Sequence, residues 1–285
     1  MICYYHNRDL DGFCSGAIMR LKFPDAQFIG YDYGQPFEQI VGEEIIMADV
    51  SLPMSTMQKV AQASGHRFTW IDHHASAIKD YNEFFGGIEV EQINAVLKEG
   101  VAACEIAWDY FFYNKPMPRA VRLLGQYDTW RNQDKEKWDG EILPFQYGMR
   151  LHCNSIEDFP IELLETRNDS LCNDVIQDGK TVLKYQAQQD EMACRLSSFE
   201  AEFKGLRAIC LNTGTRNSQT FKSVWDEEKH DIMLPFSYNG KTGKWTFSIY
   251  TTKNEIDCSA LAKEMGGGGH KKAAGFEVND TRDVF

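Results

Sequence analysis

A chain of 285 residues, 43% apolar and 25% charged, has material for one large or two ordinary domains with cores of their own and is expected to be a folded soluble protein. Its formal net charge of -12 argues against coating long DNA or RNA through a broad basic surface, a mode that needs many Lys and Arg contacts to phosphate. No basic stretch leads into a long apolar segment, no ~18-residue apolar run suggests a membrane partner, and the eight scattered cysteines form no Cys-x-x-Cys pair, so reduced thiols in a cytoplasmic setting are expected.

From Met1 to about Arg131, short β-like runs alternate with helical patterns. Ile2–Tyr5, Gln27–Tyr31, Ile45–Val50 and Arg67–Ile71 read as strands; Phe13–Lys22 and Ser55–Ala63 read as helices. This rhythm predicts an α/β fold with a mainly parallel sheet flanked by helices, whose ligands belong beyond the strand ends. Val101–Tyr113 is apolar with few breaks and reads as a buried helix, and a second helix from about Arg119 would carry Asp128 at its end. Between about Asp158 and Arg195 strand signals give way to helical spacing over Ile161–Leu171 and Val175–Leu196. Strand patterns return at Arg207–Leu211, Ile232–Tyr238 and Trp245–Tyr250, the last after a turn at Asn239–Gly243, and a helix at Cys258–Met265 leads into Gly266–Phe276. The expected organisation is a first domain over 1–157, a helical connector over 158–196 and a smaller α/β domain over 197–285, with no internal repeat.

Four acidic or imidazole clusters end short apolar runs: His6-Asn7-Arg8-Asp9-Leu10-Asp11-Gly12, Asp49, Asp72-His73-His74, and Asp128 within Gly125–Trp130. Crowded carboxylates and imidazoles repel and desolvate one another unless a cation compensates them. His6, Asp9, Asp11, Asp49, His73 and Asp128 form a hard-to-borderline donor set suited to Mn2+ or Mg2+, and too large a set for one ion with open positions. Two ions sharing a carboxylate would suit in-line displacement at a phosphate ester or anhydride. His74 would then hydrogen-bond a phosphoryl oxygen or protonate the leaving group, and Asp72 would fix the loop or orient an imidazole. A lone Asp-x-Asp-Gly is ordinarily a turn and a lone His-His pair ordinarily surface or core, so the reading rests on their joint placement at element ends.

The run Gly266–Gly269 with His270, Lys271 and Lys272 allows backbone N–H groups to wrap an anion, against the bland reading as a flexible linker. Gly267, Gly268, Gly269, His270 and Lys271 are therefore substrate-binding candidates.

These motifs resemble the DHH phosphoesterase superfamily, in the branch with a DHH-associated C-terminal domain, over nearly the whole chain. The resemblance rests on HNRDLDG, the Asp49 strand end, DHH at Asp72–His74, YDTW around Asp128, and GGGGHKKAAGF. It implies a two-domain, Mn2+-dependent phosphoesterase with its active site between lobes. His6, Asp9, Asp11, Asp49, His73 and Asp128 would be metal ligands, His74 a phosphate contact, and Gly266–His270 the substrate clamp. Two departures stand out: only two residues separate His6 from Asp9, and Ser248-Ile249-Tyr250-Thr251 carries Tyr250 where many relatives carry arginine, so Tyr250 is assigned a stacking or hydrogen-bonding role.

The expected activity is hydrolysis of very short oligoribonucleotides, linear dinucleotides such as pGpG, to nucleoside monophosphates, with Phe221, Trp225 and Tyr250 as candidate base-stacking or packing residues. Cyclic dinucleotides, phosphoadenosine phosphate and polyphosphate are alternative substrates, and a nucleotide-sensing binding protein is the non-enzyme alternative. The sequence leaves a homodimer open.

Overall fold

The computed structural model describes residues 1–285 apart from 38–41, 66, 87–92, 166–168 and 215. The chain divides into two compact units, Met1–Leu183 and Lys184–Phe285.

The first unit is built on five parallel strands, β1 (Ile2–His6), β2 (Gln27–Tyr31), β3 (Ile45–Ala48), β4 (Phe68–Asp72) and β5 (Asn94–Leu97), in the order β2-β1-β3-β4-β5. The central strands are apolar at nearly every position because both sheet faces are covered. Cys3, Tyr5, Ile46, Ala48 and Ile71 pack into a core with α1 (Leu10–Lys22), α4 (Ala103–Phe111), α5 (Arg119–Asp128) and α7 (Leu143–His152). Their alternate neighbours Ile2, Tyr4, Ile45, Met47, Phe68 and Trp70 pack into a second core with α2 (Met54–Ala63) and α3 (Ala75–Phe85). Strand order reverses direction at β1, between β2 and β3, and such a switch point leaves a crevice beyond the carboxyl ends of the strands. A three-residue helix α6 (Lys135–Lys137) continues through a wider π-type stretch, Trp138–Ile142, into α7.

The predicted helix over Ile161–Leu171 is corrected: the chain makes a 3-10 turn at Ile161–Leu164, turns extended at Glu165, and resumes as α8 (Asp169–Ser197). Residues 166–168 of that expectation lie outside the described ones. The division between the units falls within α8.

The second unit is a six-stranded mixed sheet, β6 (Ser198–Phe203), β7 (Leu206–Asn212), β8 (Ile232–Asn239), β9 (Lys244–Tyr250), β10 (Gly268–His270) and β11 (Ala273–Val278), in the order β10-β11-β9-β8-β7-β6, with helix α9 (Cys258–Glu264). Only β7 and β8 pair in parallel. All eight cysteines are buried and unpaired, and among the described residues no helix is long and apolar enough to cross a membrane.

Candidate active site

The carboxyl ends of β1, β3 and β4 deliver most of the site. Asp9 caps α1, its Oδ1 accepting from the Gly12 N–H at 2.9 Å, while its Oδ2 lies 3.0 Å from His6 Nδ1 at the end of β1. Gly12 is dictated by this turn: a Cβ there would sit 2.0 Å from the His6 carbonyl oxygen. Asp11, one helical residue on, is buried and accepts from the N–H groups of Ala103 (2.9 Å) and Cys104 (2.8 Å) at the start of α4. That position favours a carboxylate for the free N–H groups and the helix dipole alike. Asp11 thus has a structural duty as well as lone pairs left for a cation.

Asp49 follows β3 with φ +61°, a left-handed conformation that Asp tolerates better than most residues. Its carboxylate is 1% exposed, and neither oxygen has a hydrogen-bond partner among the described residues. One oxygen faces His6 Nδ1 at 3.6 Å and the other faces His73 Nε2 at 3.3 Å. His6 Nδ1 is likewise buried without an aligned hydrogen bond. His73 Nε2 also lies 3.5 Å from Asp11 Oδ2 and 3.4 Å from Asp128 Oδ2.

Asp128 reaches this group as the last residue of α5. The loop after it is pinned: Arg131 donates from Nε to Thr129 Oγ1 at 2.8 Å and pairs with the buried Glu105, while Thr129 donates to the Gly125 carbonyl at 2.7 Å. Trp130, exposed and itself at φ +53°, packs its ring 4.9 Å from that of Trp138.

Three sets of side chains can each converge on one point: His6, Asp9 and Asp49; Asp49, His73 and His74; and Asp11, His73 and Asp128. Asp49 belongs to two of them. Orphaned buried oxygens, a thiolate-free donor set and this convergence fit divalent metal ions held between carboxylates and imidazoles.

Electrostatics express the same crowding. Burial lifts Asp49 to about 7, opposed by His6 and reinforced by Asp9. Burial also lifts Asp128 to about 7, with Asp11 adding to it, and pushes Asp11 well above the usual carboxylate range. For His6, burial opposes the charge, but Asp49 and Asp9 outweigh it and raise the imidazole to about 10. Burial works against the charge of Asp9 too, yet His6 and the Gly12 N–H hold it below the ordinary value.

Asp72 stands apart from the converging sets. Fully buried, its Oδ1 accepts from the backbone N–H groups of His73 (2.7 Å) and His74 (3.0 Å) and lies 2.8 Å from His74 Nδ1; its Oδ2 accepts from Trp70 Nε1 at 3.2 Å. This network fixes the loop and turns His74 so that Nε2 is its free nitrogen. The Asp72 contact, against a smaller cost of burial, raises His74 to about 9.

Sequence reasoning missed Asp32, just beyond β2, whose Oδ1 lies 3.8 Å from His6 Nε2 and whose Oδ2 lies 3.1 Å from Arg8 Nε. The available signal was its place after a strand, the same signal that marked Asp49.

The glycine run lies in the second unit and is not an open loop. The N–H groups of Gly266 and Gly267 bond the carbonyls of Lys263 and Ala262, closing α9, and Gly268–His270 form the edge strand β10 against β11. A Cβ at Gly267 would meet the Gly275 carbonyl oxygen at 2.1 Å, and one at Gly269 would meet Ala274 Cα at 2.6 Å, so close pairing with β11 accounts for both glycines. The expectation of a free anion nest is thereby narrowed to the edge of β10 with the exposed His270 and Lys271. Lys272 is committed to the carbonyls of Thr252 and Lys253. Tyr250 is half-buried against a cluster of Cys194, Ile209, Leu211, Phe221 and Met233. Phe221 is wholly buried there, which removes it as a base-stacking residue.

No family model matches the chain. An uncharacterised protein of Acanthamoeba polyphaga mimivirus is 25% identical over 288 residues, covering 98% of this chain and 59% of the relative. The oligoribonuclease NrnB of Bacillus subtilis (strain 168) is 22% identical over 299 residues, covering 97% of this chain and 72% of the relative. The chain thus spans about three fifths of the viral relative's length and under three quarters of the bacterial one's. Among solved structures, a pGpG-specific phosphodiesterase, PggH, from Vibrio cholerae aligns with a TM-score of 0.58 at 12% identity, over 97% of this chain and 92% of that one. The DHH domain of a member of the S1p family of ribosomal proteins aligns with a TM-score of 0.57 at 13% identity, over 99% and 83%. In its motifs the chain resembles the DHH phosphoesterase superfamily, and in its fold it is similar to a solved DHH domain.

Proposed function

We propose that this protein is a Mn2+-dependent phosphodiesterase that hydrolyses very short oligoribonucleotides, linear dinucleotides such as pGpG, to nucleoside monophosphates. The observation that carries the reading is Asp49, fully buried, unpartnered at both oxygens and facing a separate group of ligating side chains from each. His6 and Asp9 on one side, and His73, Asp11 and Asp128 on the other, are the residues that would hold two ions with Asp49 shared. When bound, such ions supply an acidified water and neutralise charge on the phosphoryl group during in-line displacement.

The chain's own residues supply the rest. Asp72 locks the His74 ring, whose free Nε2 is available to donate to a phosphoryl oxygen or to the leaving oxygen. Asp11 ties the first motif to α4, and the Arg131–Glu105 pair anchors the loop carrying Asp128, so the ligands are held by packed helices. His270, Lys271 and Tyr250, with the backbone of Gly268 and Gly269 at the edge of β10, are assigned as the second unit's substrate contacts. The choice of substrate draws support from the oligoribonuclease NrnB likeness over nearly the whole chain.

The test is product analysis of an RNA ladder from dinucleotide to decamer beside cyclic dinucleotides and polyphosphate, with Mn2+ or Mg2+. Dinucleotide consumed fastest, with Mn2+ superior, is the expected result; turnover of polyphosphate alone would refute it.

A further inference from the structure

A cavity of 320 Å3 opens within the first unit beside the metal-ligand group, lined among others by Arg8, Asp9, Phe13, Gln146, Arg150 and Asn154. It shares Asp9 with the set formed by His6, Asp9 and Asp49, so a group attached to a phosphate at that set has this space next to it. Its volume is near the lower limit of small-molecule sites, about 300 Å3, which suits one nucleoside rather than two.

The lining is selective in its chemistry. Phe13 presents an apolar surface from α1. Arg8 is already engaged by Asp32 at 3.1 Å. Arg150 is exposed and has no carboxylate within ion-pair distance among the described residues; its guanidinium lies 5.0 Å from the Tyr147 ring centre and 6.0 Å from that of Tyr127, beside Asp128. A hydrogen bond between Arg150 and the Tyr127 hydroxyl, with the two ring contacts, fixes the plane of the guanidinium and leaves its remaining N–H groups to donate. Gln146, one turn earlier on α7, is only 6% exposed, yet its carboxamide makes no hydrogen bond among the described residues and lines the cavity. The carboxamide is open to the cavity, so both its acceptor and its donors are available to a molecule placed there.

We infer that this cavity is a base-selecting subsite that takes the guanine of the nucleotide adjoining the scissile phosphate, Arg150 donating to O6 and N7 and the Gln146 oxygen accepting from the ring N–H or amino group. Arginine is the side chain best matched to the O6/N7 edge of guanine, whereas adenine would put a donor amino group against it. The inference rests on the proposed hydrolysis of short oligonucleotides and names the base that reaction prefers.

The deciding measurement is calorimetric titration of guanosine and adenosine 5′-monophosphates, up to millimolar concentration in EDTA, into the wild-type protein and the Arg150→Met variant. Methionine keeps the side chain's length and its packing on the tyrosines. Wild type should bind the guanine nucleotide about tenfold more tightly, the scale of a good bidentate contact, and Arg150→Met should bring the ratio near one. No binding, equal binding by wild type, or an undiminished preference in the variant would overturn the subsite. With Mn2+, the same variant should raise KM for pGpG far more than for pApA with a smaller change in kcat. Selective guanine binding without dinucleotide hydrolysis would leave the subsite standing and remove the hydrolytic reading; dinucleotide hydrolysis with equal binding of the two nucleotides would do the reverse.

Discussion

Asp49 combines three unfavourable features in one residue: a left-handed backbone, near-complete burial, and a carboxylate without an aligned hydrogen bond among the described residues. Such a combination persists where a site needs it, and it sets function against stability. Asn accepts the same backbone conformation and removes the charge. The Asp49→Asn variant should therefore lose about a hundredfold or more in kcat/KM, the scale of losing one charge-stabilising group at a reacting centre. Its metal-free form should nevertheless melt a few degrees higher than wild type at pH 8, a gain that shrinks towards pH 5 because Asp49, raised to about 7, is then protonated in the wild type as well. Thermal unfolding at the two pH values checks both signs.

The neighbouring groups move together. Asp49 and Asp128 at about 7, His74 at about 9 and His6 at about 10 all bind protons more tightly in the folded chain than in the unfolded one. Folded-state excess of bound protons means that stability of the metal-free protein falls as pH rises, between about 4 and 7 through the carboxylates and between about 6.5 and 10 through the imidazoles. A divalent ion must displace the protons on its own ligands His6, Asp49 and Asp128, so its affinity should climb with pH across the neutral range with net proton release. Titration of Mn2+ in buffers of different ionisation enthalpy measures that release, and a pH-independent affinity would contradict it.

At the level of elements, the helix α1 is seated by a turn with no spare room. Gly12→Ala would drive a methyl group into the His6 carbonyl, a backbone atom that cannot swing aside, and should cost at least about 2 kcal/mol, read from the denaturant midpoint. The elements that carry the site were legible because their apolar runs are buried on both faces and end in charged residues: β1, β3 and β4 show no alternation to mislead the eye. Elements lacking that contrast were not. The edge strand β5 is half-exposed, β6 falls between the helical pattern that ends at Leu196 and the first strand pattern after it and was read as neither, and β10 is two glycines and a histidine whose strand character comes entirely from its partner β11. Gln146 and Arg150 were equally hidden, since their significance lies in a cavity between α7 and the first motif that spacing along the chain does not encode. Asp72 was legible as the residue that orients an imidazole, and Asp11 only in part, because its contacts to α4 join residues more than ninety positions apart.

For the molecule as a whole, every residue of the metal-ligand sets lies within Met1–Leu183. Ligand binding to the folded form stabilises by mass action, by about 4 kcal/mol at a thousandfold excess over Kd. Scanning calorimetry should accordingly show Mn2+ raising the transition of the first unit; an equal shift of every transition, or none, would argue against the assignment of the ions to that unit. The division into two units was expected from the return of strand patterns after a helical stretch, but the sequence marks no break inside the continuous helix α8, where the division falls. The burial of all eight thiols has a practical corollary. A maleimide dye offered to the native protein meets no accessible sulfur, so a single cysteine introduced at any exposed position becomes the sole labelling point, and distance measurements by resonance energy transfer require no prior removal of native cysteines.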